Sequence, residues 1–318
     1  MEKITHKPGS HREWNESYYY CFSDKKIHGL TRLGFKPNKE EATMFFLLFL
    51  PDESVAGYQV TEKIGQEWGQ TGLNAGGMSF ESREDGSWRF SFKGVMPRVL
   101  KPTDFPKAVR DPSLIAGVLP VSMDMVFTPI HDEYEYSEHM TPESLEIGKK
   151  AGDLHWEQVG LSNGAITVGK DVYAINRSMS QRDHTYGVRD WTGVGDWFYN
   201  VVWFDENLCV NPAAIIMEDG RVSWGGFILK DGKNHPIKEM KIREQTFIDD
   251  LIPVSLVVDL TTEEGKTYTL RGVTRDVVPI PFIKGNEMSI LAQSFGEYSL
   301  DDITGGYGTF ETLRMKKL

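Results

Sequence analysis

Cysteine is scarce. Only Cys21 and Cys209 occur in 318 residues, so at most one bridge could form and a disulfide framework is excluded. Positive charge is in deficit too: 35 Lys+Arg stand against 46 Asp+Glu, a net charge of -11. Neither a phosphate backbone nor an anionic headgroup attracts such a chain, which argues against nucleic-acid partners and anionic membranes. Long apolar runs are missing; the longest, residues 44–51 (MFFLLFLP), cannot span a bilayer. The opening MEKITHKPGSHREWNESYYY is polar and lacks the apolar stretch of a secretory signal. These absences predict a soluble, cytoplasmic protein without stable membrane insertion. The sequons Asn15-Glu16-Ser17 and Asn176-Arg177-Ser178 are then chance matches, and a homo-oligomer stays open. Gly-x-x-x-x-Gly-Lys, Gly-x-Gly-x-x-Gly, His-Glu-x-x-His and Cys-x-x-Cys are all missing.

What is present is globular. Hydrophobic residues at 40% and charged residues at 25% exclude disorder and coiled coil, and the length suits two domains. Gly and Pro punctuate the whole chain, and short segments of period-two alternation lie between them. Residues 87–93 put Trp88, Phe90 and Phe92 on one face and Arg89, Ser91 and Lys93 on the other, a half-buried antiparallel strand. Residues 171–175, 255–260 and 267–270 follow the same pattern. Asp85-Gly86, Asn163-Gly164, Asp219-Gly220, Asp231-Gly232 and Glu264-Gly265 read as turns between strands. Only Thr141-Pro142-Glu143-Ser144 reads as a convincing helix start, with an N-cap, Pro at N1 and an acidic first turn. The fold class is all-β and mostly antiparallel. The charged segment 137–153 precedes a fresh run of strands, which predicts domains at 1–150 and 151–318.

Two features point away from common chemistries. Gly160-Leu161-Ser162-Asn163-Gly164 fits the nucleophile elbow in letters, but that elbow needs a strand before it and a helix after it. Here the following residues, Ala165-Ile166-Thr167-Val168, read as another strand. The eight histidines show no metal-ligand spacing, so no metal is expected, although a set could still assemble in space.

The stretch 181–191 (QRDHTYGVRDW) stands apart. Arg182-Asp183 and Arg189-Asp190 flank His184 and Tyr186, and Trp191, Trp197, Tyr199, Trp203 and Asp205 follow. Clustered acids, bases and aromatics in a β domain suggest polar groups converging on an apolar ligand. A carboxylate buried among aromatics holds a proton near neutral pH and can act as a general acid. Trp and Tyr faces stabilise a cation formed by protonating an alkene. The plainer reading is that Arg-Asp pairs fix strand corners and alternating Trp residues fill a core.

These residues, with His155-Trp156-Glu157-Gln158, the run 164–169 (GAITVG) and the terminal 306–311 (GYGTFE), resemble the AttH-like tandem lipocalin superfamily, which includes carotenoid 1,2-hydratase. The resemblance covers about residues 155 to 205 plus this end; Trp14-Asn15-Glu16-Ser17-Tyr18 matches in style only. It implies two lipocalin-like barrels in tandem, a hydrophobic pocket at or near their junction and no cofactor. The hydratase's His-x-Trp falls on His184 and Tyr186, and its Tyr-x-Asp on Trp203 and Asp205, each with one aromatic exchanged for another.

The reading that follows is a hydratase, dehydratase or cyclase acting on an apolar, isoprenoid-like small molecule. Asp183 or Asp205 would supply the proton, with His184 and Tyr186 in the catalytic group. Trp156, Arg182, Arg189, Trp191, Trp197 and Trp203 would bind the substrate. A non-catalytic lipid or pigment carrier and a positioning enzyme of the Diels–Alderase sort are the alternatives.

Overall fold

A computed structural model describes residues 4–24, 26–65, 67–69, 72–189, 194–284 and 287–317. Trp191 lies outside the described residues. The chain divides into two compact units: residues 1–101, 110–135 and 150–190 form the first, and residues 102–109, 136–149 and 191–318 the second. Both are built from antiparallel strands, as the alternation predicted. Among the described residues, no helix is long and apolar enough to cross a membrane.

The first unit contains β1 (Trp14–Ser23), β2 (His28–Lys36), β3 (Glu41–Phe49), β4 (Val55–Lys63), β5 (Leu73–Ala75) and β6 (Met78–Ser82). It continues with β7 (Trp88–Val99), β8 (Ile115–Pro129), β9 (Tyr134–Glu135), β10 (Leu154–Val168) and β11 (Asp171–Val188). The pairing order β4-β3-β2-β1-β11-β10-β8-β7 closes on itself because β4 also pairs with β7. A closed ring of eight strands leaves no open edge and has an interior just wide enough to fill with side chains. Trp88, Phe90 and Phe92 all lie in that interior, where Tyr20 and Phe90 stack with centroids 4.1 Å apart.

The second unit contains β12 (Val194–Tyr199), β13 (Val202–Asp205), β14 (Leu208–Met217), β15 (Val222–Lys230) and β16 (Lys233–Ile248). After these come β17 (Ile252–Thr262), β18 (Thr267–Lys284), β19 (Glu287–Leu300), β20 (Ile303–Thr309) and β21 (Glu311–Lys317). The order β12-β21-β19-β18-β17-β16-β15-β14 closes through β12 and β14, again as a ring of eight. The predicted strand 255–260 lies inside β17, and its alternate residues Leu256, Val258 and Leu260 are fully buried. The predicted helix is Pro142–Gly148, capped by Thr141, whose Oγ1 accepts from the Ser144 backbone N–H at 3.2 Å.

Two expectations are corrected. The domains do not divide at residue 150, because β10 and β11 belong to the first ring. There β11 pairs with β1, and β10 pairs with β8. Without them β1 and β8 would each expose an unpaired edge, so the first ring cannot close on residues 1–150 alone. Asn163-Gly164 is not a hairpin turn either. It lies within β10, at a register shift between Ser162 and Gly164. A Cβ on Gly164 would sit 2.0 Å from the Asp124 carbonyl oxygen, so the close approach of β8 requires glycine there. Ser162 is fully buried in this strand and accepts from the Tyr20 hydroxyl at 2.8 Å, which disposes of the nucleophile elbow.

Candidate functional site

Strand register assembles the site. Tyr18 of β1, His184 of β11 and Trp156 of β10 lie directly opposite one another, forming one cross-strand row. The next row holds Glu16, Tyr186 and Leu154, and the row on the other side holds Tyr20, Arg182 and Gln158. Successive residues of a strand face opposite ways, so these even-numbered residues share the inner face with the Tyr18–Tyr20 core.

At the centre, His184 Nε2 is 2.8 Å from Glu16 Oε1, and both side chains are completely buried. The His184 ring stacks on Tyr18 at 4.3 Å and meets Trp156 edge-on at 5.4 Å. His6, on the segment preceding β1, closes over the same carboxylate. Its Nδ1 is 2.7 Å from Glu16 Oε1, and its backbone N–H donates to Glu16 Oε2 at 2.9 Å. The Tyr18 hydroxyl donates to Glu16 Oε1 at 3.4 Å and also to the Ile4 carbonyl, pinning this segment. The Tyr186 ring stacks on His6 at 3.8 Å. Burial, followed by the carboxylates of Asp153, Glu135 and Glu16, pushes the Tyr186 phenol above its ordinary range.

Arg182 forms the wall of the row beyond. Its guanidinium is buried between Trp88 (4.8 Å) and Trp156 (4.4 Å). It donates to Gln158 Oε1 and to Glu133 Oε1, each at 2.9 Å. Planar, delocalised and weakly hydrated, a guanidinium tolerates this apolar sandwich better than an ammonium would.

His184, Tyr186, Trp156 and Arg182 therefore lie together along the inner face of β10 and β11. Asp183 points to the opposite face of β11, with Tyr19 and Glu157 as cross-strand neighbours and His155 Nε2 3.6 Å away. Period-two alternation makes adjacent Asp183 and His184 unable to share a face. Asp205 is exposed at the end of β13 in the second unit, where its Oδ1 caps a turn by accepting from the Asn207 backbone N–H at 2.7 Å. Trp203 is core of that unit, opposite Cys209 and Tyr307. Trp197 is half-buried there and donates to Glu311 Oε1 at 3.0 Å. Arg189 is half-buried just beyond β11.

Glu16, His6 and Tyr18 were not among the expected site residues. The one local signal was an acid alternating with aromatics in Trp14-Asn15-Glu16-Ser17-Tyr18, a pattern equally suited to a strand with a polar edge. Nor did histidine spacing suggest a metal set, yet one ligand-capable atom each from His6, Glu16 and His184 lies within 4.8 Å of the others. Cys21 and Cys209 are both buried and are not joined in a disulfide.

Residues 2–316 match the family described as a domain of unknown function, DUF7064. No curated protein matches the chain in sequence. Among solved structures, an AttH protein from Nitrosomonas europaea is similar at a TM-score of 0.60 and 11% identity, over 98% of this chain and 96% of that one. Kievitone hydratase from Nectria haematococca is similar at a TM-score of 0.56 and 10% identity, over 97% and 90%. CghA, in its structure with Sch210972, is similar at a TM-score of 0.55 and 7% identity, over 96% and 89%. These likenesses show the fold, two antiparallel β units shared with the AttH structure, in line with what the resemblance implied.

Proposed function

The chain belongs to the DUF7064 family, and we propose that it is an enzyme that moves a proton on an apolar small molecule held inside its first barrel. The observation that carries this reading is the Glu16–His184 pair, 2.8 Å apart, fully buried and walled by Tyr18 and Trp156. A carboxylate hydrogen-bonded to an imidazole puts a proton donor and a proton acceptor side by side, the pair that general acid–base chemistry uses.

On an alkene, the pair delivers its proton to one carbon and leaves a cation at the other. The faces of Tyr18 and Trp156 stabilise that cation. Water adds its oxygen to the cation, and its surplus proton returns to the pair, so the site ends as it began. The reverse sequence removes water from a tertiary alcohol. If an internal double bond captures the cation instead, the product is a ring and the proton is lost from a neighbouring carbon. None of these steps requires a group that the chain does not itself carry. His6 and Tyr186 form the outer layer over Glu16, so a substrate reaches the pair by displacing the His6 side chain.

Kievitone hydratase, named for adding water to kievitone, supports a hydration reading by fold likeness. An isoprenoid-like alkene or tertiary alcohol is the substrate class that fits walls of aromatic carbon. The test is incubation with a panel of such compounds in oxygen-18 water, followed by mass spectrometry. Labelled alcohol supports water addition. An unlabelled rearranged product assigns the positioning role instead, and a compound retained unchanged assigns a carrier.

A further inference from the structure

We propose that His6, Glu16 and His184 form a binding site for a divalent transition-metal ion of the zinc type. Two imidazole nitrogens and one carboxylate oxygen converge, each within 4.8 Å of the others. Two nitrogens and one oxygen match the donor set that zinc accepts with one position left open, whereas magnesium and calcium prefer oxygen alone. Ligands about 2.1 Å from a tetrahedral ion lie about 3.4 Å from one another. The two nitrogens are now 2.7 and 2.8 Å from Glu16 Oε1, so the set must open by about half an ångström or a little more.

The opening falls to His6, which is held by its stack on Tyr186 and its backbone bond to Glu16 and not by a strand ladder. His184 and Glu16 are fixed in paired strands, and the His184 ring is held against Tyr18 and Trp156. His6 instead sits on a segment outside the regular strands, with its side chain 22% exposed. Glu16 Oε2 is engaged by the His6 backbone N–H, which leaves Oε1 turned toward both imidazoles. Such an outer partner is what orients a ligating carboxylate. The half-buried His6 side chain is the part of the set nearest solvent and so supplies an entry path.

This inference goes beyond the acid–base reading and does not depend on it. A bound ion occupies the Glu16 and His184 atoms that carry the proton in that reading, so metal binding and proton transfer exclude each other. The test uses the full chain, freed of metal with a chelator and titrated with cobalt(II). Expected are one ion per chain and the visible absorption of a low-symmetry cobalt site. His6→Ala, which leaves both strands intact, should weaken binding at least about tenfold, and His6→Asp, which restores an oxygen ligand, should recover part of it.

Two results overturn the proposal. One is no cobalt absorption in the wild-type chain. The other is equal stoichiometry and affinity in wild type and His6→Ala, which would place the ion on surface groups. Circular dichroism of each variant separates a lost site from a lost fold. Water addition in the metal-free chain is measured separately, so either proposal can fail while the other stands.

Discussion

Glu16 and His184 are 168 residues apart in the chain, yet the β1–β11 pairing brings Nε2 and Oε1 to 2.8 Å with neither side chain reaching solvent. A buried carboxylate is costly unless it is bonded, and here the imidazoles of His184 and His6 and the Tyr18 hydroxyl share that task. This arrangement determines which variants should matter.

Asp183→Asn and Asp205→Asn should each leave turnover within about twofold of wild type, because Asp183 lies on the face of β11 opposite His184 and Asp205 is an exposed turn cap. Asp183→Asn should instead alter thermal stability, through its neighbour His155. A hundredfold loss of turnover in either variant, with the fold intact, would return that carboxylate to the chemistry.

Arg182→Met keeps the length and apolar stem but removes the charge between Trp88 and Trp156 and leaves Gln158 and Glu133 without this donor. Urea denaturation should show a loss of about 1–3 kcal/mol. An unchanged midpoint would mean that the two indoles hold their places without the cation.

Gly164→Ala forces a Cβ to within 2.0 Å of the Asp124 carbonyl oxygen, whereas a Cβ on Gly117 meets nothing within 4 Å. Gly164→Ala should cost at least about 2 kcal/mol, and Gly117→Ala should stay within about 0.5 kcal/mol of wild type. Equal melting temperatures for the two would show that β8 and β10 can separate freely at this register shift.

Burial pushes the His28 imidazole down from 6.5 to about 3. Between these values the unfolded chain binds a proton that the folded chain does not, so stability rises with pH across the window. The contribution is complete above about 6.5 and is lost as pH falls toward 3. His28→Phe, placed against Phe49, should flatten the dependence of the urea midpoint between pH 7 and pH 4.5. An identical slope in wild type and variant would assign the effect to other groups.

Local pattern was enough for the strands. Trp88, Phe90 and Phe92 alternate and are all interior, and Leu256, Val258 and Leu260 do the same in the second unit. Half of the site was also legible, since His184, Tyr186, Trp156 and Arg182 lie within one run of motif. The other half was not, because Glu16 and His6 meet that run only through a pairing across most of the first unit. Asp183 does not share a face with His184, because adjacency in sequence suggests adjacency in space and a strand does the opposite. The boundary at residue 150 failed for a related reason: ring closure, which no local composition records, draws β10 and β11 back to β1 and β8.

The central claim is that Glu16 and His184 share the proton that the reaction uses. Its most direct test is the rate of oxygen-18 incorporation into an alkene substrate by wild type, Glu16→Gln and His184→Gln, with the fold of each checked by circular dichroism. The account predicts that each folded variant loses at least about a hundredfold in rate, and that the double variant is little worse than either single one, as for two groups acting as a unit. Incorporation at the wild-type rate by folded Glu16→Gln would contradict it.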